Sequence, residues 1–178
     1  MSTPVEAKTV EQCANEAKTR AAPDADDTSK KLVREPYEAK KPEGVTAGVH
    51  RNALMFAAIT PRNVGQLRVL NYVCFPIDYS DSFYTNMLRP ECLALSFYAC
   101  DSGDVPVGAI TCRPEKADRV YLMTLSVLQA YRRMGIGAAL LQELLDRLSK
   151  SHKQVKEVVL HVHTPNEGAV AFYQRVGF

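Results

Sequence analysis

The order of apolar runs between residues 119 and 176 restricts the fold more than any other feature of this chain. "RVYLMTLSVL" (119–128) is rich in apolar and β-branched residues and reads as a strand. A helical pattern follows over 135–150, then a strand candidate, "VKEVVLHV" (155–162), then a second helical pattern, "EGAVAFYQRV" (167–176). In the first helix Ile136, Leu140, Leu144 and Leu148 recur every four residues with Leu141 and Leu145 beside them, so one face is apolar along its length. A strand, a helix of that length and a strand require a crossover connection, and the two strands are expected to pair in parallel.

Upstream, "CLALSFYAC" (92–100), "VPVGAITCR" (105–113) and residues 119–128 are strand candidates joined by short polar turns, which predicts an antiparallel meander. "ALMFAAI" (53–59) predicts a first strand, and Thr60-Pro61 supplies an N-cap followed by proline at the first helical position. A helix over 61–73 is expected, with Val64, Leu67, Leu70 and Tyr72 or Val73 turned inward. Residues 74–88 mix Pro76 with aspartates and aromatics and read as a short helix or loop. The sum is an α/β domain on a mixed central sheet.

That domain occupies residues 50–178. Residues 1–49 hold eight Lys/Arg and nine Asp/Glu, carry four prolines and lack apolar periodicity. Such a segment buries too little to offset its ordering entropy, and a largely disordered extension is expected. The net charge of +2 gives no electrostatic case for nucleic acid. The five cysteines are odd in number and form no C-x-x-C pair, which argues for reduced thiols in a cytosolic or nuclear setting over a disulfide framework or zinc site. No run approaches the length of a membrane span, and no direct membrane binding is expected.

"YRRMGIG" (131–137) sits where the strand turns into the helix. Glycine is a poor helix former, so Gly135 and Gly137 in the first turn make sense where something must approach the backbone closely. The amides there lack intrahelical partners and the helix dipole is positive at that end. With Arg132 and Arg133 added, the place suits an anion such as a pyrophosphate. A glycine-eased turn flanked by two solvated arginines is the plainer alternative.

The pattern R-x-x-G-x-G (Arg132, Gly135, Gly137), directly after a strand and opening a helix, resembles the acetyl-coenzyme A signature of the GCN5-related N-acetyltransferase (GNAT) superfamily. It is not a Walker loop, because no G-K-S/T follows, and not a Rossmann fingerprint, because the third glycine is missing. "YLMTL" (121–125), "LHV" (160–162) and "NEGAVAFYQRVGF" (166–178) extend the likeness on both sides. Residues 59–84, 119–137 and 158–178 are similar to the catalytic subunits of NatE-type N-terminal acetyltransferases, over nearly all of 53–178. The first 50 residues have no counterpart there. In that family further strands follow the "GF", carrying paired tyrosines over the peptide site. The sequence ends at Phe178, so the C-terminal strands of a GNAT fold are expected to be missing.

The resemblance implies transfer of an acetyl group from acetyl-coenzyme A, without a metal, to the α-amine of proteins that keep their initiator methionine before a hydrophobic or small residue. It assigns the cofactor to the backbone of Leu125, Ser126 and Val127, the turn Arg132, Arg133, Met134, Gly135, Ile136, Gly137 and Ala138, and to Asn166 and Tyr173. The two parallel strands would splay to admit the thioester, with amides near Leu125–Val127 polarising its carbonyl. Tyr121 and His161 resemble the family's proton-handling pair. Strand alternation puts Tyr121, Met123 and Leu125 on one face, from which Tyr121 and His161 would reach a shared water. Phe75, Pro76, Ile77, Tyr79 and Met123 would hold the peptide's first residue. NatA-type subunits and the ribosome are the implied partners.

Each residue also has a plainer reading. Tyr121 can be a packed sheet aromatic, His161 a satisfied histidine in an apolar strand, Asn166 an N-cap, Tyr173 half of a packed "FY" pair, and "FPIDY" (75–79) an ordinary surface segment. His50, His152 and His163 are scattered and make no metal site. Two other activities stay open: a non-catalytic subunit that keeps the fold to bind acetyl-coenzyme A or a scaffold, and an acetyltransferase acting on internal lysines.

Overall fold

The computed structural model describes residues 29–34, 54–101 and 104–178. The strands are β1 (Ser29–Arg34), β2 (Met55–Ala58), β3 (Phe97–Cys100), β4 (Pro106–Lys116), β5 (Arg119–Val127) and β6 (Glu157–His163). The helices are α1 (Val64–Cys74), α2 (Asp81–Met87), α3 (Pro90–Leu93), α4 (Ile136–Ser151) and α5 (Glu167–Arg175). One six-stranded sheet has the order β1-β6-β5-β4-β3-β2, antiparallel throughout except for the parallel pair β5 and β6. The expected meander and crossover are both present. None of the described helices is long and apolar enough to cross a membrane.

Two cores lie on opposite faces of the sheet. On one, α4 buries Ile136, Leu140, Leu141, Leu144, Leu145 and Leu148 against Val120, Leu122, Val158 and Leu160, with Tyr173 of α5 alongside. Burial of each large aliphatic side chain is worth about 1.5–3 kcal/mol. On the other, Leu67 and Leu70 of α1 and Met87 of α2 meet Tyr98 and Ala109. The Tyr98 hydroxyl donates to the Asn63 carbonyl at 2.9 Å and pins the start of α1 to the sheet.

Five expectations change. Helix α1 begins at Val64, because residues 61–63 form a turn in which Asn63 Oδ1 accepts from the Thr60 N–H at 2.7 Å. Its inner stripe is Leu67, Leu70 and Asn71, whereas Tyr72 and Val73 are 72% and 58% exposed. Residues 92 and 93 are helical, in the turn opened by Pro90, which leaves β3 only four residues long. Ser29–Arg34 is a strand: laid on β6, it gains ladder hydrogen bonds that composition does not foretell and covers what would be an open edge. The rest of the predicted disordered extension lies outside the described residues.

The fifth change concerns the site. Thr111 pairs with Thr124 but Cys112 pairs with Leu122, so Met123 is an extra residue in β5, a β-bulge. Beyond it the faces exchange. Leu125 and Val127 pack with the α4 core, while Met123 packs with the α1 core. Leu125 therefore does not share a face with Tyr121 and Met123, because strict period-two alternation ends at the bulge.

Candidate active site

The parallel ladder between β5 and β6 consists of three pairs, Arg119 with Glu157, Val120 with Val158 and Tyr121 with Val159. At its closed end Arg119 Nε and Nη2 both donate to Glu157 Oε2 at 2.7 Å. Past Tyr121 and Val159 the strands part. Leu125, Ser126 and Val127 line one side of the opening with backbone that β6 does not pair.

Tyr121 and His161 stand at that fork. Tyr121 pairs with Val159, and His161 follows two residues later on the same face of β6. Their side chains meet directly, Tyr121 Oη to His161 Nδ1 at 3.1 Å. Burial raises the phenol pKa above its ordinary range; the Arg113 guanidinium, 5.0 Å from the ring centroid, opposes the rise and Glu115 adds to it. The phenol is thus protonated at neutral pH, and His161 is exposed to whatever enters the cleft.

After β5 the chain makes one 3-10 turn (Gln129–Tyr131) and two left-handed residues, Arg133 with φ 66° and Gly135 with φ 85°. Gly135 is the N-cap of α4, not a residue of its first turn. It brings no capping side chain, and no acidic residue occupies the turn that follows. The amides of Ile136, Gly137 and Ala138 are left pointing outward beside the exposed Arg132, Arg133 and Met134. A Cβ on Gly137 would meet the Phe172 ring at 3.4 Å, an ordinary contact, so the packing of α4 on α5 does not itself require glycine here. Arg132 Nε donates to the Val127 carbonyl at 3.1 Å and ties the turn to the open strand.

Of the two residues expected from α5, Asn166 accepts from the Ala169 N–H at 3.1 Å through Oδ1 and so caps the helix. Tyr173 is 9% exposed, packed edge-on between Phe172 and Phe178, and burial pushes its phenol far above the ordinary range. Both plainer readings hold for these two side chains.

The Phe75–Tyr79 segment leaves α1 with the Phe75 N–H donating to the Asn71 carbonyl at 2.9 Å. Phe75, Tyr79 and Phe83 form a chain of ring contacts, and Met123 packs with Tyr79 and Phe83 against the α1 core. Burial drives the Tyr79 phenol up to about 12, and Tyr84 and Tyr121 reinforce it. A hollow of about 390 Å³ is lined by Arg68, Val69, Tyr72, Ile77, Asp78, Tyr79 and Tyr84. It lies on the outer flank of α1, so Ile77 and Tyr79 border it while Phe75, Pro76 and Met123 do not. The Tyr121–His161 pair and the open strand meet at the fork, apart from this hollow, whose lining includes neither residue.

Two residues escaped the sequence reading. Cys74, at the end of α1, reaches the turn that follows β5: burial raises its thiol pKa, against the Arg132 side chain and Val127 backbone that bond it. Asn71, one turn earlier, is fully buried with neither side-chain Nδ2 nor Oδ1 hydrogen-bonded. An unpaired buried polar group costs about 1–3 kcal/mol. No spacing rule flags either residue, since each only interrupts an apolar stripe.

Comparison with known proteins points the same way. Residues 64–178 match the Acetyltransferase (GNAT) family. Probable N-acetyltransferase san of Drosophila melanogaster is 37% identical over 132 residues, 72% of this chain and 69% of that protein. N-alpha-acetyltransferase 50 of Danio rerio is 41% identical over 123 residues, 67% and 71% of the two chains. Among solved structures, Arabidopsis thaliana Naa50 in complex with the bisubstrate analogue CoA-Ac-MVNAL superposes with a TM-score of 0.60 at 39% identity, covering 70% of this chain and 82% of that one. The family match spans residues 64–178, which hold the parallel pair and the uncapped, arginine-flanked helix start beside it, and the chain belongs to the Acetyltransferase (GNAT) family.

Proposed function

We infer that this protein is an N-terminal protein acetyltransferase that moves acetyl from acetyl-coenzyme A to the α-amine of chains beginning with a retained methionine before a hydrophobic or small residue. The observation that carries the reading is the Tyr121–His161 contact of 3.1 Å at the fork between β5 and β6. The fork and the neighbouring turn also fit the cosubstrate. The uncapped start of α4, free of acidic side chains and flanked by Arg132 and Arg133, suits a pyrophosphate, with Met134, Gly135, Ile136, Gly137 and Ala138 as its backbone cradle. Leu125, Ser126 and Val127 would receive the arm that follows, with Asn166 and Tyr173 bordering it from α5. When bound, acetyl-coenzyme A supplies an acetyl thioester.

The remaining chemistry falls to the protein. Backbone donors on the open stretch of β5 stabilise negative charge on an oxygen held there, worth about 10²–10³ in rate per donor. The attacking amine must be neutral, and an α-amine with a pKa of about 7.7–8.0 is partly so at pH 7, whereas a lysine at about 10.4 is not. A weak acceptor such as the His161 imidazole, bonded to the Tyr121 phenol, suffices for the first and serves the second poorly. This argues against internal lysines, and an intact pair argues against a non-catalytic subunit.

Phe75, Pro76, Ile77, Tyr79 and Met123 remain the proposed peptide residues, with Ile77 55% exposed and available to a methionine side chain. Association with NatA-type subunits at the ribosome and a cytosolic or nuclear location complete the reading; the free thiols of Cys74, Cys92, Cys100 and Cys112 are consistent with a reducing compartment. Steady-state kinetics on peptides beginning Met-Leu and Ser-Glu, and on one with only an internal lysine, tests it. The Met-Leu peptide is expected to have the highest kcat/KM, and Ile77→Asp to erase that preference by placing a carboxylate against an apolar side chain. Equal kcat/KM on all three would overturn the assignment.

A further inference from the structure

Asn71 occupies a place where leucine would serve stability better. Its helix-face neighbours Leu67 and Leu70 belong to the apolar core with Tyr98, Met87 and Ala109, yet its own amide is buried with neither end bonded. The strands beneath α1 do bury hydroxyls on that side, but those serve one another or the sheet. Thr111 and Thr124 share a bond of 2.6 Å, and the Ser126 hydroxyl donates to the Ala109 carbonyl at 3.5 Å.

The position also joins both halves of the cleft. The Asn71 carbonyl holds the first N–H of the Phe75–Tyr79 segment at 2.9 Å. One turn further along the same face, Cys74 meets Arg132 and the Val127 backbone. A side chain with an unpaired donor and an unpaired acceptor matches a peptide unit, which offers both. It matches neither a phosphate, which mainly accepts, nor an ammonium group, which only donates.

We propose that Asn71 is a positioning residue for the peptide: its side-chain amide gains a donor and an acceptor bond when the Phe75–Tyr79 segment settles on an extended peptide backbone. This rests on the acetyltransferase reading above. Ordering the segment relieves a cost that the free protein carries, so peptide binding and segment closure favour each other. The role acts through the segment, not on the reacting atoms.

The experiment compares the full chain with Asn71→Leu, using a Met-Leu peptide and acetyl-coenzyme A. The variant is expected to have a Tm at or above that of the wild type and an unchanged KM for acetyl-coenzyme A. Its kcat/KM for the peptide should fall at least about tenfold, chiefly through KM. A purely structural amide would move Tm and leave the peptide KM alone, and that result overturns the proposal, as does a loss of activity that merely follows a lowered Tm. Should Asn71→Leu fail to fold, the side-chain amide signals of Asn71 in the 15N-labelled wild type decide. They should shift when peptide is added with coenzyme A and not with coenzyme A alone; no shift on adding peptide overturns the proposal. A wild type that does not acetylate the peptide overturns the proposed function and this inference together, whereas an active wild type beside an equally active Asn71→Leu overturns this inference alone.

Discussion

At the scale of single residues the proposed chemistry turns on the 3.1 Å contact between Tyr121 and His161. If the pair handles the proton of the amine, Tyr121→Phe and His161→Ala should each lower kcat at least about tenfold and leave the Kd for acetyl-coenzyme A nearly unchanged. Turnover at the wild-type level in both would sink the assignment. The pH profile gives an independent view. kcat/KM should rise as pH passes the α-amine pKa of about 7.7–8.0. Because burial raises the Tyr121 phenol, the plateau should extend beyond the ordinary tyrosine pKa of about 10 before any fall. A decline from a phenol ionising below that value would contradict the assigned environment. Both residues were legible because each lies on a strand, where period two fixes a face; their role came from resemblance. Asn71 was not legible, because an asparagine in the stripe of Leu67 and Leu70 looks like the edge of the apolar face, and Tyr72 or Val73 was put in its place.

Among the elements, α4 was the most readable. Its four-residue leucine repeat needs no knowledge of neighbours, and the buried set matches it throughout. Leu144 is fully buried in that set, so Leu144→Ala should cost about 2–5 kcal/mol in a denaturant titration, through lost transfer energy and the cavity left behind. A cost below about 1 kcal/mol would mean that α4 does not anchor the sheet as described. β5 was less readable, since a bulge leaves no mark on composition: "VYLMTLSV" alternates well enough to hide the extra residue at Met123. The consequence is useful. By exchanging the faces, the bulge lets Tyr121 look into the cleft while Leu125 and Val127 pack with the α4 core. Strand β1 was beyond the sequence for another reason: its pairing with β6 depends on a partner more than a hundred residues away, which no local pattern encodes.

On the scale of the whole molecule, one sheet separates two cores, and the proposed site lies where β5 and β6 part. Arg119 and Glu157 clamp β5 to β6 at one end, three residue pairs follow, and then the strands diverge. Seen by solvent, this divergence is a seam of exchangeable backbone protons inside an otherwise closed sheet. Over Leu122–Val127, the amides that point toward β4 are locked by its ladder, and their alternate neighbours face the gap. Hydrogen–deuterium exchange of the free protein should therefore be unusually fast at alternate positions of this stretch, although the side chains of Leu122, Thr124 and Ser126 are buried. Acetyl-coenzyme A, lying along the seam, should slow those positions to the rate of the surrounding sheet, and Gly135→Glu, by setting a carboxylate where the pyrophosphate belongs, should abolish the slowing. Uniform protection without ligand would mean that the seam is already sealed. The protein would then have to break hydrogen bonds before every turnover, with its speed set by breathing of the sheet instead of by the Tyr121–His161 pair.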